Sequence, residues 1–123
     1  MANDVELKIY MPEKVVFDEK VFRAVLPFDN KNITVLKDRA PTLISLDMGV
    51  IQILDEEYNI TEELLIANGF ADILPNSCTI TTEMCFYKKN LTLEAVRELN
   101  EDSPNPFYKW LVELFEKEES YKK

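Results

Sequence analysis

Few residues in this chain of 123 residues could carry out chemistry, because it contains no histidine, two cysteines and two glycines. Without histidine, Ser-His and Cys-His catalytic dyads and histidine metal sites cannot form. Cys78 and Cys85 cannot complete a zinc site; they could pair with each other, but we expect both to be reduced residues of a core. Two isolated glycines cannot build a phosphate-binding loop. We therefore expect no catalysis by this chain alone, and no metal or cofactor.

Acidic residues are concentrated at residues 55–57 and 62–63. Carboxylates in such groups could bind calcium, but a solvated hairpin tip has the same composition and is the favoured interpretation. The net charge of −9 argues against binding to nucleic acid and against adsorption to anionic lipid. We find neither a leader pattern nor an apolar run near the roughly 18 residues of a membrane span, so direct membrane insertion is not expected. These features favour an interaction protein.

Short strands are predicted to position these residues through most of the chain. Residues 33–54 read as three strands separated by two turns. Pro41 ends the first turn because it has no amide hydrogen for a sheet. Gly49 marks the second, where we expect a positive φ or a close backbone approach. Altogether the pattern predicts eight or nine strands at spacings of about 8–12 residues, typical of a β-sandwich or flattened barrel.

Three further segments complete the strand prediction. The charged residues 18–20 are expected to separate two strands, and residues 27–32 to form a polar connection. Residues 58–67 contain a stretch that could form a helical turn. We interpret this segment as a strand because the turn at Asn68 and Gly69 ends it before a stable helix could form.

The pattern changes to helical spacing near residues 84–89. Residues 1–87 carry 7 basic and 15 acidic groups, whereas residues 88–123 carry 7 and 8. This change of charge coincides with the change of period. We predict a β-sandwich domain at residues 1–86 and a C-terminal helical hairpin at residues 87–123, with helices at about 91–101 and 106–119.

The second predicted helix has a clear start and one apolar face. Asn105 is the predicted N-cap, with Pro106 at the first helical position. Large apolar residues then recur at i, i+3, i+4, i+7 and i+8. Packing within the chain is the favoured role of this docking stripe, and insertion into a partner interface is the alternative. The stripe consists of Phe107, Trp110, Leu111, Leu114 and Phe115.

Three segments together resemble the epsilon subunit of F-type ATP synthase, called delta in mitochondria. They are VELKIYMPEKVVFDEKVFRAVLP, VLKDRAPTLISLDMGVIQI and LLIANGFADILPNSCTI, in this order and spacing. The similarity covers residues 5 to about 83, and no single motif would suffice. It implies a mainly β protein with an α appendage, namely an N-terminal ten-stranded β-sandwich followed by a C-terminal helical hairpin. Pro41, Gly49 and Gly69 would be structural turn residues.

The resemblance also implies a function. The chain would be a non-catalytic central-stalk (rotor) subunit of an F-type proton-translocating ATP synthase, peripheral on the cytoplasmic face of the bacterial inner membrane. The sandwich would bind the gamma subunit and rest on the c-ring. The hairpin could reach the alpha and beta subunits and inhibit ATP hydrolysis. The loop residues implied to face the c-ring are Asn30, Lys31, Asn32, Asp38 and Arg39.

A nucleotide motif is present only in degenerate form. Family members that bind ATP on the hairpin carry a motif similar to Ile/Leu-Asp-x-x-Arg-Ala. Leu93 and Arg97 match it, whereas Glu94 and Glu98 replace aspartate and alanine. We therefore expect no ATP affinity tighter than about millimolar. The alternative function is a free-standing β-sandwich adaptor or ligand-binding domain, which would not recover a gamma subunit in a pull-down.

Overall fold

The computed structural model describes residues 4–121, which form ten strands and two α-helices. The strands are β1 (Val5–Met11), β2 (Lys14–Val21), β3 (Arg23–Phe28), β4 (Lys31–Val35), β5 (Thr42–Leu46), β6 (Gly49–Leu54), β7 (Ile60–Ile66), β8 (Gly69–Ile73), β9 (Ser77–Thr82) and β10 (Cys85–Tyr87). A 3₁₀ turn (Lys88–Asn90) precedes α1 (Leu93–Asp102) and α2 (Pro106–Tyr121). The predicted fold class, a ten-stranded sandwich followed by two helices, is confirmed. Two compact units divide between Lys88 and Lys89, two residues after the division proposed from the sequence.

The strands form two five-stranded sheets, ordered β2-β1-β9-β8-β5 and β10-β7-β6-β3-β4. All pairs are antiparallel except β1 and β9, which run parallel. Alternate side chains of each strand point into the core, where Leu7, Ile51 and Ile80 are completely buried. This alternation is the reason that the sequence pattern indicates strands.

The shortest strand, β10, was absent from the strand prediction. Its three residues pair with β7, with Cys85 opposite Ile66. Three residues are too few to show a period, and the sequence pattern in this region indicates a domain boundary. Cys78 and Cys85 are both buried and not disulfide-bonded. Burial raises the pKa of each thiol to about 12, so neither sulfur is a nucleophile at neutral pH.

The prediction that residues 18–20 interrupt a strand was wrong, because they lie inside β2. β2 is an edge strand that pairs only with β1, and charged side chains are common on edges, where they oppose aggregation. The strand prediction for residues 58–67 is confirmed by β7.

Residues 27–32 do not form the polar connection that we expected. β3 continues to Phe28 and β4 begins at Lys31. Between them, Asp29 and Asn30 have φ values of 52° and 60°, and a two-residue hairpin turn of the common type requires positive φ at both positions. Lys31 and Asn32 are therefore strand residues rather than loop residues.

Gly49 and Gly69 are also strand residues, each the first of its strand, and neither has a positive φ. A Cβ at Gly49 would lie 2.8 Å from the Cβ of Pro27, and one at Gly69 would lie 2.2 Å from the carbonyl oxygen of Thr81. The turn assignment was wrong for both, and the close-approach alternative for Gly49 is confirmed. Pro41 does lie in the connection that precedes β5.

Side-chain caps define where both helices begin. Thr92 Oγ1 accepts a hydrogen bond from the Ala95 amide at 3.1 Å, so α1 begins at Leu93, two residues after the predicted start. Asn105 Oδ1 accepts from the Tyr108 amide at 2.9 Å, which confirms Asn105 as the predicted N-cap of α2. α1 and α2 pack against each other.

Candidate functional site

One end of the sandwich, which we call the polar end, consists of the turns at residues 29–30 and 47–48. The Asn30 amide donates a hydrogen bond to Asp47 Oδ2 at 2.9 Å. The Asp47 amide donates to the carbonyl oxygen of Pro27 at 3.1 Å. Because these bonds join both turns to each other and to β3, we expect the polar end to keep its shape when a mechanical force acts on it.

The opposite end, which we call the leucine end, consists of residues 36–41 and 74–76. Leu36 and Leu74 expose 41% and 43% of their surface there. Arg39 is partly buried, and its Nε has no hydrogen-bond partner within residues 4–121. The leucine end therefore exposes apolar surface next to a cation with unused hydrogen-bonding capacity.

Strand β4 separates the five residues that the resemblance implied for the c-ring. Lys31 and Val35 lie at its two ends, about 13 Å apart at the usual rise of a strand. Asn30, Lys31 and Asn32 belong to the polar end or its first strand residues. Asp38 and Arg39 belong to the leucine end, where the Asp38 amide donates to the Pro75 carbonyl oxygen at 2.7 Å. The structure therefore does not bring the two groups together.

An exposed apolar surface lies on the outer side of β5 and β8, and we call it the β5–β8 face. Leu43 and Phe70 expose 73% and 59% of their surface. Phe70 is opposite Ser45 and Leu43 is opposite Asp72, which makes Leu43 and Phe70 diagonal neighbours on one side of the sheet. Sequence alternation did not indicate this surface, because an apolar residue in a strand is expected to point inward.

Arg23 is a second feature that sequence reasoning missed. Arg23 is 7% exposed, and its Nε has no hydrogen-bond partner among the described residues. The guanidinium carbon lies 3.6 Å from the ring centre of Tyr58 and 4.7 Å from that of Phe22. These distances are cation–π contacts. The single charge in the apolar run from Val21 to Leu26 was the available signal.

The docking stripe of α2 is buried to different degrees. Phe107 and Leu111 are buried, whereas Trp110, Leu114 and Phe115 are partly buried. The rings of Phe107 and Trp110 stack, with 6.0 Å between their centres and an interplanar angle of 21°. Packing thus buries part of the docking stripe in this structure, and the rest of the stripe retains exposed apolar surface.

The degenerate nucleotide motif lies on α1. Arg97 Nη2 is 3.0 Å from Glu116 Oε2 of α2, and the two side chains are about half exposed. Leu93 borders the same depression, and Glu94 is exposed in the first turn of the helix. The cation that would contact a phosphate is therefore already paired with a carboxylate.

Comparisons with known proteins extend this description. A family described as "ATP synthase, Delta/Epsilon chain, beta-sandwich domain" matches residues 4–87. A protein named ATP synthase epsilon chain from Gluconacetobacter diazotrophicus is 32% identical over 93 residues, covering 76% of this chain and 65% of its own. The epsilon chain of Rhizobium leguminosarum bv. trifolii is 30% identical over 122 residues, covering 94% and 90%. The chain thus spans somewhat less than two thirds of the first relative and most of the second.

Two solved structures share the fold. One is the mitochondrial ATP synthase of Euglena gracilis, described as OSCP/F1/c-ring, with a TM-score of 0.69, 17% identity and coverage of 98% and 82%. The other is the central stalk and c-ring of the Tetrahymena thermophila mitochondrial ATP synthase, with a TM-score of 0.59, 18% identity and coverage of 92% and 94%. At these identities, the likeness concerns the fold alone.

The fold, together with the named relatives, defines a class of protein: chains built on the β-sandwich domain of the ATP synthase delta and epsilon chains. Within that class, the chain belongs to the ATP synthase delta/epsilon chain family, so the resemblance seen in the sequence is confirmed. None of the helices within residues 4–121 is long and apolar enough to cross a membrane.

Proposed function

We propose that this chain is the rotor subunit that couples the gamma subunit to the c-ring of a proton-translocating ATP synthase. One observation carries the proposal: an exposed apolar face and a polar, hydrogen-bonded end are separate surfaces of one sandwich. Close-packed sheets deform little, so force applied at one surface reaches the other. Of the two structural neighbours, one is described as a central stalk with a c-ring and the other as an OSCP/F1/c-ring assembly, which supports this role.

We propose the β5–β8 face as the surface that binds gamma. Leu43 and Phe70 would supply apolar area at its centre, where stable interfaces concentrate their binding energy. The leucine end adjoins this face through β5 and would extend it, with Leu36 and Leu74 as further contacts. Arg39 would then find its missing hydrogen-bond acceptor on gamma.

We propose the polar end as the surface that rests on the c-ring. Its exposed groups are polar except for Met48, which exposes 37% of its surface, so they would meet the polar loops of the ring while burying little apolar surface. Asn30, Lys31 and Asn32 keep the role that the resemblance implied. Asp38 and Arg39 are reassigned to the gamma side, because β4 separates them from the other three.

The helical unit is proposed as a regulatory arm. The partly buried residues Trp110, Leu114 and Phe115 would contact the alpha and beta subunits in an inhibiting pose. As part of the assembled enzyme, the chain would be peripheral on the cytoplasmic face of a bacterial inner membrane. The coupling would require no cofactor bound to this chain.

A matched pair of charge reversals tests the two surfaces. Lys31→Glu and Arg39→Glu change the net charge equally; Lys31 is the first residue of β4, and Arg39 follows its last residue by four positions. In membranes carrying the assembled complex, Lys31→Glu should weaken the retention of this chain on the membrane sector. The loss should be larger at low salt, because salt screens charges at the rim of an interface. Arg39→Glu should instead weaken binding to purified gamma. Equal effects of both variants on both measurements would reject the division of surfaces.

The alternative, a free-standing adaptor, predicts a different set of partners. A pull-down with the full chain should recover gamma together with the catalytic subunits if the chain is a rotor subunit. Leu43→Lys should abolish that recovery, since it places a charge at the centre of the proposed apolar contact. Thr34→Lys adds the same charge at an exposed position of β4 in the other sheet, outside the β5–β8 face, and is the matched control. Recovery of gamma that Leu43→Lys does not reduce would place the contact elsewhere.

A further inference from the structure

An open groove of about 360 Å³ lies where the last residues of β2 approach the turn between β6 and β7. None of its lining residues belongs to the two surfaces assigned above. Aromatic and aliphatic side chains of two strands and one bend form its apolar lining, and all of them are buried or partly buried. These residues are Phe17, Val21, Phe22, Ile53 and Leu54.

Carboxylates dominate the polar lining of the groove. Four carboxylates and one cation line the groove. The carboxylates belong to Glu19, Asp55, Glu56 and Glu62, and the cation is Lys20. Asp55 Oδ1 accepts hydrogen bonds at 2.9 Å from the backbone amides of residues 57 and 59. These bonds, with the Asn59 amide contributing most, hold the pKa of Asp55 below its ordinary value. The groove therefore combines an apolar floor with a rim in which carboxylates outnumber cations.

Exposed apolar residues continue the groove beyond its rim. Tyr58 and Ile60 follow the β6–β7 turn and expose 71% and 51% of their surface. Tyr58 has a φ of 67°, and its ring lies over the buried guanidinium of Arg23. The stacking fixes the ring beside the turn, so this apolar extension has a defined position.

We propose that this groove binds a basic amphipathic segment of a partner protein, in which apolar residues alternate with lysine or arginine. Apolar side chains of such a segment would enter the floor, and its cations would meet the rim carboxylates. A divalent cation fits poorly, because nowhere in the described residues do three or more metal-ligating side chains lie close enough together to hold an ion. A second copy of this chain also fits poorly, because two molecules of net charge −9 repel each other.

The test uses the full chain and a defined probe, a fluorescein-labelled nine-residue peptide of alternating leucine and lysine. Glu19→Lys and Glu56→Lys should each weaken binding by about fivefold or more, since each replaces an attraction with a repulsion. Glu13→Lys is the matched control, because Glu13 is exposed in the β1–β2 turn and lies outside the groove. It changes the net charge equally and should weaken binding less than about twofold. Equal losses for Glu13→Lys and Glu56→Lys would overturn the proposal.

The floor is tested independently of charge. Phe22→Ala removes apolar lining at constant net charge and should weaken binding of the peptide by about threefold or more. Amide shifts in a nuclear magnetic resonance titration of the unmodified chain should concentrate at residues 19–22 and 53–62. Because this second measurement uses the unmodified chain, it remains informative even if the Phe22→Ala variant does not fold. Shifts spread over the whole acidic surface, or equal affinity for a peptide of alternating serine and lysine, would reject the groove as the binding site. None of these outcomes depends on assembly into ATP synthase.

Discussion

The two units of this chain differ in how much core each possesses. Every one of the ten strands contributes at least one buried residue to the sandwich core. In the described part of the helical unit, only Val96, Phe107 and Leu111 are buried. Helices of 10 and 16 residues are marginal in isolation, so the order of the helical unit depends strongly on what it docks against. A persistent sandwich and an adjustable helical pair suit the division between coupling and regulation that we propose.

The largest effect is expected for Gly69→Ala. A Cβ at this position would lie 2.2 Å from the Thr81 carbonyl oxygen, so β8 and β9 would have to separate. We expect a loss of about 3 kcal/mol in the free energy of unfolding of the sandwich. Urea denaturation followed by the strand signal of circular dichroism measures it. Gly49→Ala, which meets a side chain at 2.8 Å, is the milder comparison. An equal, small effect at both positions would contradict the packing argument.

A smaller effect, confined to the helical unit, is expected for Asn105→Ala. The side chain caps α2 through the Tyr108 amide, and losing such a cap costs about 1 kcal/mol. Trp110 is the single tryptophan of the chain, so its fluorescence reports on the helical unit during urea denaturation. The strand signal should not change. Asn105→Asp retains a cap acceptor and should lie within a few tenths of a kcal/mol of the parent. Parallel shifts of both signals would mean that the two units unfold together.

The sandwich was largely predictable from sequence because its strands alternate between core and solvent. Where alternation is short or misleading, the prediction failed for physical reasons. The three residues of β10 are too few for a period, and the charges of residues 18–20 look like a break although they belong to an edge strand that pairs with β1. Gly49 and Gly69 looked like turn residues, yet their neighbours in other strands exclude a side chain. Contacts between distant segments decided these positions.

The functional surfaces were less predictable than the fold. The resemblance named Asn30 and Arg39 together, because nothing in the sequence reveals that β4 holds them apart. Leu43 and Phe70 follow the strand pattern but point outward, so composition alone would assign them to a core. Arg23 gave the opposite signal, a charge that the fold buries between two aromatic rings. The register of the strands was needed to decide which of these side chains lie on the surface and which lie in the core.

Removing residues 104–123 tests whether the adjustable unit regulates the enzyme. In the assembled complex, we expect ATP hydrolysis to rise about twofold, since an arm that inhibits half of the molecules releases that half when it is deleted. Assembly and the sandwich fold should not change, because the sandwich has its own core. Hydrolysis rates of membranes with and without the deletion measure the effect, and the single variant Trp110→Ala is a milder comparison. Unaltered hydrolysis would reduce the helical pair to a packing element.

The smallest effect is expected for nucleotide on the helical unit. Arg97 already pairs with Glu116 at 3.0 Å, and Glu94 adds a further carboxylate that repels phosphate. We therefore expect calorimetry on the full chain to find an ATP dissociation constant of about 1 mM or weaker. Glu116→Gln removes the competing carboxylate, but an exposed pair contributes at most about 1 kcal/mol, so affinity should improve by no more than about fivefold. Micromolar binding by the parent chain would contradict this prediction. It would also make the helical pair responsive to ATP, and its order would then depend on a ligand as well as on docking.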